Sequence, residues 1–432
     1  MKKNDTEADY DLVVIGCGAA GLSAAVSYAA EAKGQGRTAR IAVLERADRE
    51  GRGGATRWTS SWFRITADRQ LDPAFSRTME EVSGGGLGMP KGGGVAIVDG
   101  LAGVVDRTDG AEILYQTEAV RLSISDEGHV DGVMVRGRDG LLQRLGANAV
   151  VIACGGFEGN PEMLTRYLGA RACDLPVIAP TLKNNRGDGL RMALEVGGDS
   201  AGQFDMFHGE PVDVRSAKPD AVLYAFPYGI VVNRHCRRFF DEGKDSFDAT
   251  FEAIAFEIWR HQEQEAYFIG DRTTLGIPNV KEIILSDQPP VTADTLEELA
   301  GQLGLDASAL AATVAEYNAA AGPEEFNPLV RDGKAASGLD VPKSNWCFPL
   351  ESPPYIAYPL TCAITFTFGG IRTDSRARVI SPAGTVIPGL YAAGEVTGLY
   401  YHSYPAGTSV LRAATFGRLA GAHAAAAHQG GE

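Results

Sequence analysis

Three glycines near the amino terminus constrain the fold of this chain more than any other feature. Gly16, Gly18 and Gly21 form a G-x-G-x-x-G pattern directly after the β-branched run Leu12–Ile15 and directly before an alanine-rich segment. A strand, a glycine turn and a helix in this order are the context that a dinucleotide-binding site requires. The first glycine makes the turn, the second lets backbone approach a pyrophosphate, and the third lets the helix pack on the strand. The pattern predicts an α/β domain with phosphates at a helix N-terminus.

A second strand, "ARIAVLE", follows and ends at Glu45. A carboxylate in this place accepts hydrogen bonds from an adenosine ribose in dinucleotide-binding folds. The chain shows no second G-x-G-x-x-G after a strand, whereas an enzyme that passes hydride from a nicotinamide to a flavin commonly needs two such sites. The residues therefore indicate one dinucleotide, FAD alone or NAD alone.

Charge and cysteine usage narrow the classes of partner. The 432-residue chain is 44% hydrophobic and carries a formal charge of -15, which argues against binding to nucleic acid. No apolar run reaches membrane-spanning length, and the polar N-terminus shows no signal peptide. Six cysteines lie far apart without a C-x-x-C pair, so we expect reduced thiols, no metal site and a cytoplasmic protein.

The middle of the chain differs in character from its two ends. Strands are predicted over 111–124 and at Val150–Ala153, and glycine-led helices begin near Gly92 and Asp188. Residues 204–345 contain more aromatics and long polar helices, with Thr295 and Asp306 as N-cap candidates. We predict a Rossmann-like domain formed by 1–203 and 346–432, interrupted by an α+β capping domain at 204–345.

Eight motifs in order give the chain a family resemblance. It resembles the FAD flavoproteins of the fumarate reductase/succinate dehydrogenase superfamily, is most similar to the tricarballylate dehydrogenase branch, and is more distantly similar to 3-ketosteroid Δ1-dehydrogenases. The resemblance covers nearly the whole chain and rests on these motifs: "VVIGCGAAGLSAA", "GGATR", "AVVIACGGFEGNPEML", "GDGLRMA", "GIVVNRHCRRFFDEG", "PPYIAYPLT", "ITFTFGGIRTD" and "PGLYAAGEVTGLYYHSYPAGTSVLR".

The resemblance implies FAD and a set of residues that hold it. In this set, Ser409 and Val410 open a helix against the pyrimidine edge of the flavin, where a helix N-terminus stabilises the negative charge of the reduced form. The residues implied to contact the cofactor are Gly16, Gly18, Ala20, Gly21, Glu45, Arg46, Gly54, Ala55, Thr56, Ser60, Ala119, Val120, Cys154, Gly155, Asp188, Gly394, Glu395, Ser409 and Val410.

Four departures from the family are visible. Ala55 stands where succinate dehydrogenase has a flavin-linked histidine, so non-covalent FAD is expected. Ser246, with Lys244 nearby, stands where fumarate reductases have a proton-donating arginine. Phe366 replaces a histidine, and Tyr404 replaces the substrate arginine of the last motif. These changes make simple fumarate or succinate chemistry less expected.

The remaining candidates for chemistry are a tyrosine, two histidines and three cations. Tyr404 resembles the Tyr-Pro tyrosine that polarises the ketone in ketosteroid dehydrogenases; packing on the flavin is its alternative. His402 and His208 are candidate bases or substrate contacts, or hydrogen-bonded core histidines. The guanidinium groups of Arg57 and Arg412 match a carboxylate, unless they form ion pairs within the protein. Lys244 completes the predicted catalytic set.

Together these features predict an FAD-dependent dehydrogenase that oxidises a CH–CH bond next to a carboxylate or ketone, with hydride passing to flavin N5. Oxidation of tricarballylate is the named example. The alternatives are an enoate reductase, a 3-keto cyclic or steroid-like dehydrogenase and, outside catalysis, a flavoprotein electron carrier. The expected partners are a small-molecule substrate and an electron-acceptor protein or quinone.

Overall fold

The chain folds into two compact units. The structure, a computed structural model, describes residues 8–59, 63–65, 86–88 and 92–430. Unit 1 comprises residues 1–208 and 366–432, and unit 2 comprises residues 209–365.

The strands of the described residues are numbered in chain order. They are β1 Tyr10–Ile15, β2 Ile41–Leu44, β3 Phe63–Ile65, β4 Gly86–Gly88, β5 Ala111–Leu114, β6 Glu118–Ile124, β7 Val130–Arg136, β8 Leu142–Ile152, β9 Ser200–Ala201, β10 Phe207–Asp213, β11 Ile230–Asn233, β12 Ala266–Gly270, β13 Val291–Ala293, β14 Tyr355–Thr367, β15 Gly370–Ile371, β16 Arg378–Ile380 and β17 Val386–Ala392.

The helices are numbered in the same way. They are α1 Ala19–Gly34, α2 Gly54–Trp58, α3 Gly93–Asp106, α4 Pro161–Leu168, α5 Asp188–Glu195, α6 Phe247–His261, α7 Arg272–Leu275, α8 Leu296–Leu303, α9 Ala307–Ala320 and α10 Ser409–Gly430. Short 3-10 turns occur at Ala172–Asp174, Pro180–Asn184, Phe226–Tyr228 and Val280–Ile283.

Unit 1 is built on an eight-stranded sheet with the order β16-β17-β8-β1-β2-β5, and β6 and β7 extend from β8. Strand β1 runs parallel to both β2 and β8, with Leu12 opposite Ile41 and Ala149. Strand β17 is parallel to β8. The carboxyl ends of β1, β2, β8 and β17 therefore meet at one edge, where ligands bind in doubly wound folds. This confirms the predicted α/β class.

Helices cover one face of this sheet because the strands are apolar on both sides. One core contains Leu12 and Val14 of β1 together with buried residues of α1, α3 and α10. Two glycines of α10 bring it close to α1, since a Cβ on Gly417 or Gly421 would collide with the backbone of Ala20 or Ala24. The opposite face packs on β6, β7 and α5.

The predicted extended run 111–124 is two strands in the structure. Strands β5 and β6 are separated by a turn in which Gln116 takes a positive φ of 53° and donates its backbone N–H to Ala47. Strand β8 begins at Leu142, well before the predicted Val150, because its first half pairs with β7. The helices predicted after Gly92 and at Asp188 are α3 and α5.

Unit 2 contains antiparallel pairs among β11, β12, β13 and β14, together with helices α6–α9. Thr295 and Asp306 cap α8 and α9 with side-chain hydrogen bonds, as predicted. The inserted unit spans 209–365, compared with the predicted 204–345. The later end has a physical reason, because Cys347, Phe348 and Leu350 pack in the core of unit 2 and β14 pairs with β12.

No helix among the described residues is both long enough and apolar enough to span a membrane.

Candidate active site

The glycine turn after β1 has the close packing that its sequence predicts. Gly16 has a φ of +111°, and a Cβ there would collide with the carbonyl oxygen of Ala153. A Cβ on Gly21 would collide with the carbonyl oxygen of Gly16. Side chains at these positions would fill the space between β1, α1 and β8, so the turn is shaped by the absence of side chains.

The N-terminus of α1 is arranged for an anion. Gly18 is the N-cap and supplies no side-chain cap, and the first turn contains no acidic residue. Thr56 of α2 accepts a hydrogen bond from Ala19 N at 3.1 Å, which places the predicted segment Gly54–Thr56 beside this helix end. The helix dipole and the amides of the first turn then favour a phosphate. The predicted contact Ser60 lies outside the described residues.

Glu45 follows β2 at the carboxyl edge of the sheet. Its carboxyl group accepts hydrogen bonds from Ala47 N at 2.8 Å and from Gly53 N at 3.3 Å. Burial raises the pKa of Glu45, while these backbone amides act against that rise. The carboxyl group thus fixes the loop that leads to α2, and its contact with ribose stays a prediction.

Two predicted cofactor contacts bind each other. Arg46 donates to Asp188 Oδ2 at 2.7 Å and to Glu118 Oε1 at 2.9 Å. Because Asp188 is the first residue of α5, this ion pair fixes that helix end to the end of β2. Ala119, the residue after Glu118 in β6, is buried. The carbonyl of Val120 accepts a hydrogen bond from the Arg191 side chain at 2.9 Å.

Cys154 and Gly155 follow β8 at the same edge. Burial raises the pKa of Cys154 to about 12, with a further contribution from Asp188, and burial also raises the pKa of Cys17. Both sulfurs are therefore thiols near neutral pH and lack nucleophilic thiolate character. Gly155 has a φ of +77°, and a Cβ there would collide with the side chain of Asn185.

Gly394 and Glu395 follow β17 and complete this edge. Gly394 has a φ of +84°, and an ideal Cβ there would lie 2.8 Å from the Cβ of Ala20. The predicted contacts Ala20 and Gly394 therefore lie against each other at the first turn of α1. The carboxyl ends of four parallel strands thus converge on one cradle, at the edge where ligands bind in doubly wound folds.

A second feature of unit 1 is an aromatic cluster, defined here as His208, Phe366, Phe368, Tyr400 and Tyr404. The His208 ring lies 4.4 Å from the Tyr404 ring and 4.9 Å from the Phe366 ring, measured between centroids. The Phe366 and Tyr404 rings are 5.1 Å apart and perpendicular. His208 is 3% exposed. The cluster is a mostly apolar wall with one imidazole and one phenol in direct contact.

The Tyr404 hydroxyl lies at the N-terminus of α10. It accepts hydrogen bonds from Thr408 N at 3.0 Å and Ser409 N at 3.1 Å, and it donates to Ser409 Oγ at 3.1 Å. Ser409 and the buried Val410 are the first residues of α10, which was predicted to face the flavin. Phenol and helix-end amides therefore converge on one small region.

The two candidate histidines occupy different surroundings. His402 is exposed, has a positive φ of 59°, and donates its backbone N–H to Gln203 Oε1 at 2.7 Å. Its neighbour Tyr401 accepts from Gly202 N at 3.0 Å. The structure therefore brings His208, and not His402, into ring contact with Tyr404.

The two predicted carboxylate clamps, Arg57 and Arg412, have different surroundings. Arg57 and Arg52 both bind Asp99 Oδ1, at 3.3 Å and 2.7 Å. Arg412 is 1% exposed and its guanidinium lies 4.4 Å from the Tyr400 ring centroid. The Arg412 Nε and Nη1 atoms are buried and have no hydrogen-bond partner in the described part of the chain.

Lys244 lies on an exposed turn of unit 2, where its backbone N–H donates to the carbonyl of Asp241 at 3.2 Å. Its catalytic role stays a prediction.

Sequence reasoning missed two polar groups of this region, Glu158 and Asn185. Both are buried, and Asn185 donates to Glu158 Oε1 at 2.6 Å. The available signal was a carboxylate placed a few residues after the buried strand β8, at the edge where ligands bind. Over residues 8–59 and 92–430, no group of three or more His, Cys, Asp or Glu side chains is arranged to hold a metal ion.

Comparison with known proteins identifies this architecture. The family model described as "FAD binding domain" matches residues 73–411. The chain is 32% identical over 374 residues to NADH:acrylate oxidoreductase of Vibrio harveyi, an alignment that covers 80% of this chain and 34% of that protein. It is also 32% identical over 340 residues to 4-oxocyclohexanecarboxylate 2-dehydrogenase of Sinomonas cyclohexanicum, covering 72% and 58%. The chain thus spans less than two thirds of the length of these curated relatives.

A solved structure shows the same fold. The 3-ketosteroid-Δ4-(5α)-dehydrogenase of Rhodococcus jostii RHA1, in complex with 4-androstene-3,17-dione, superposes with a TM-score of 0.69 at 24% identity, covering 98% of both chains. On the strength of the family match and the dinucleotide cradle, the chain belongs to the FAD binding domain family, within the fumarate reductase/succinate dehydrogenase flavoprotein superfamily.

Proposed function

We propose that this protein is an FAD-dependent dehydrogenase that oxidises a CH–CH bond next to a carbonyl group, with a ketone favoured over a polycarboxylate. The observation that carries the proposal is the position of Tyr404: its hydroxyl lies at the N-terminus of α10, and its ring contacts the ring of buried His208. A phenol that accepts two backbone amides becomes a stronger hydrogen-bond donor, because each bond polarises the next.

The reaction needs a polarised carbonyl for a chemical reason. Oxidation of the CH–CH bond removes a hydride from one carbon and a proton from its neighbour. The proton leaves only if the charge that develops on the carbonyl oxygen is stabilised, and donors placed at that oxygen supply this stabilisation. Tyr404 exchanges its bond to Ser409 Oγ for the substrate oxygen, while the helix end favours negative charge beside it.

His208 is the candidate proton acceptor. An imidazole is suited to accept a proton near neutral pH, and His208 is buried against the Tyr404 ring. His402 is the second candidate, on an exposed turn next to the same segment.

The cofactor is FAD, and bound FAD supplies the hydride acceptor of the reaction. The turn around Gly16 and Gly21 would hold its pyrophosphate at the N-terminus of α1, and Glu45 would meet the ribose. Ala55 has no side chain that could form a covalent bond to the flavin, so the protein binds FAD non-covalently.

The surroundings of the cluster favour a ketone substrate. Four of its five side chains are phenylalanine or tyrosine rings. An aromatic surface of this kind suits an apolar or cyclic molecule better than a trianion. Arg57 is paired with Asp99 and so presents no free fork to a carboxylate, whereas the buried Nε and Nη1 atoms of Arg412 have no partner among the described residues. Tricarballylate is therefore the second substrate class of this proposal.

The site can serve the reaction in either direction, and the reduced flavin needs an electron acceptor. The same donors also serve the reverse reaction, enoate reduction, because both directions pass through one charge distribution. Electrons leave the reduced flavin for an acceptor protein or a quinone.

Anaerobic mixing of the FAD-loaded protein with candidate substrates tests the proposal. We expect a cyclic ketone with hydrogens α and β to the carbonyl to bleach the flavin absorbance, and tricarballylate to bleach it slowly or not at all. Bleaching by tricarballylate alone would favour the carboxylate reading of the site. If chemically reduced protein is reoxidised by an enoate while no saturated compound bleaches the flavin, the protein is a reductase. If no saturated compound bleaches the flavin and no enoate reoxidises the reduced protein, the result would contradict the enzymatic proposal and favour an electron carrier.

A further inference from the structure

Two carboxyl groups meet beside the cofactor cradle. Glu158 follows β8 and Glu395 follows β17, two neighbouring parallel strands of the sheet. Each side chain acts on the pKa of the other, so the two carboxyl groups are close enough to interact directly. An ideal Cβ on Gly156 would lie 3.1 Å from Glu158 Oε2 and closer still to Glu395 Oε1, so these two oxygens approach the same point.

Each carboxyl group is also held by a neutral donor. Asn185 donates to Glu158 Oε1 at 2.6 Å, and Thr367 N donates to Glu395 Oε1 at 3.2 Å. Glu158 is 1% exposed, and its Oε2 atom has no donor from the described residues. Two carboxylates offer only acceptors, so a hydrogen bond between them requires a proton on one of them.

The charges around the two carboxyl groups also indicate that the pair carries one proton. The charged groups that act on the pair are the two carboxyl groups themselves and the Arg412 guanidinium, which stabilises the charged form of Glu395. Burial raises the pKa of Glu158 well above its usual range, and the neighbouring Glu395 adds to that rise. A pair that carries one proton and one negative charge is neutral in total with Arg412, whereas a doubly ionised pair would leave a buried negative charge uncompensated.

We propose that Glu158 is a positioning residue, which shares one proton with Glu395 and thereby holds the Glu395 carboxyl group in place for FAD. Glu395 lies next to Gly394, which packs on the first turn of α1, so its orientation matters at the cofactor cradle. This inference rests on the FAD site that the family identifies and does not depend on the proposed reaction.

Infrared difference spectroscopy of the FAD-loaded protein tests the shared proton. Ordinary glutamates are ionised at about pH 8. We expect the wild type to show the carbonyl stretch of a protonated carboxylic acid at that pH, and E158Q to lose it. Glu162, an exposed residue of α4, provides the matched control, so E162Q keeps the band. Absence of the band in the wild type, or its persistence in E158Q, would overturn the shared proton.

FAD affinity tests the positioning role without any measurement of turnover. The amide of E158Q still donates to Glu395 and accepts from Asn185, so we expect FAD to bind as in the wild type. E158A leaves both partners unpaired, and we expect its dissociation constant for FAD to rise about tenfold. Wild-type affinity in E158A would overturn the role, as would a loss in E158Q equal to that in E158A. If E158A does not fold, the infrared band and the affinity of the isosteric E158Q decide the question.

Discussion

At the scale of single residues, the proposed chemistry depends on Tyr404 and on the imidazole that meets its ring. The position of Tyr404 in the last motif makes it a candidate functional residue, and its phenol lies among buried rings. Its hydroxyl partners were not predictable, because they depend on how Pro405–Gly407 turns the backbone so that Thr408 and Ser409 donate back to it. The two histidines were indistinguishable for a similar reason, since only the fold determines which imidazole meets the phenol.

The contrast between the histidines leads to a prediction. H208Q removes the imidazole that contacts Tyr404 while keeping a polar side chain, and we expect it to lower the rate of flavin reduction by about a hundredfold. H402Q changes an exposed turn and should cause a clearly smaller loss. Stopped-flow flavin reduction of both variants checks this, and a larger loss in H402Q would reassign the base.

At the scale of elements, the glycine pattern was sufficient to predict the β1–α1 unit. The structure adds a steric reason for two of the three glycines, because a Cβ on Gly16 or Gly21 would collide with a backbone carbonyl oxygen. The turn between β5 and β6 was not predictable from alternation, since Gln116 takes a left-handed conformation with no glycine or asparagine to indicate it. The Arg57–Asp99 ion pair was also not predictable from sequence, because it depends on the tertiary packing of α2 against α3.

Two glycine substitutions test this account of the β1–α1 unit. G21A forces α1 away from β1, and we expect FAD affinity to fall by at least about tenfold and the protein to be destabilised by about 1–3 kcal/mol. Gly100, an exposed residue of α3 with open space around it, is the matched control. G100A should leave FAD binding unchanged and stabilise the protein by about 0.5–1 kcal/mol. Fluorescence titration and thermal melts measure both effects, and equal behaviour of the two variants would contradict the packing argument.

At the scale of the whole molecule, the sequence predicts an interrupted domain but not its limits. Composition changes near residue 204, whereas the contacts divide the chain at 209 and 366. Unit 2 also contains a buried lysine that lies outside every quoted motif: Lys343 donates to the carbonyls of Pro227 and Gly229 at 2.6 Å each. Lys343 is 116 and 114 residues away from these two carbonyls in sequence, so only the fold brings them together. Within the motif at 229–243, Glu242 binds Arg238 at 2.6 Å.

The buried Lys343 side chain predicts a pH dependence of stability. Burial lowers the pKa of Lys343 from 10.5 to about 8, so the folded state binds this proton less tightly than the unfolded chain does. Below about pH 8 the lysine is protonated in both states, so the folded state carries the full cost of burying a charged ammonium group. Between about pH 8 and about pH 10.5 only the unfolded chain holds the proton, so the free energy of unfolding should rise with pH. K343M should remove that rise and, by leaving two carbonyls without a donor, cost about 3 kcal/mol near neutral pH.

Denaturant unfolding followed by tryptophan fluorescence checks this, since Trp346 is buried in unit 2. K281M, at an exposed lysine of the same unit, should retain the wild-type pH dependence. If K343M and K281M respond to pH in the same way, the buried lysine does not control the stability of unit 2.

A pair of tyrosine variants shows whether the Tyr404 hydroxyl activates a substrate carbonyl. Y404F and Y401F each remove one phenol oxygen from the same segment, and Tyr401 is exposed and outside the aromatic cluster. With a cyclic ketone that bleaches the wild-type flavin, we expect the anaerobic rate of flavin reduction to fall by about 10² to 10³ in Y404F, because a donor to the developing negative charge is lost. The rate in Y401F should stay near that of the wild type. A Y404F protein that binds FAD normally and is reduced at the wild-type rate would contradict the account.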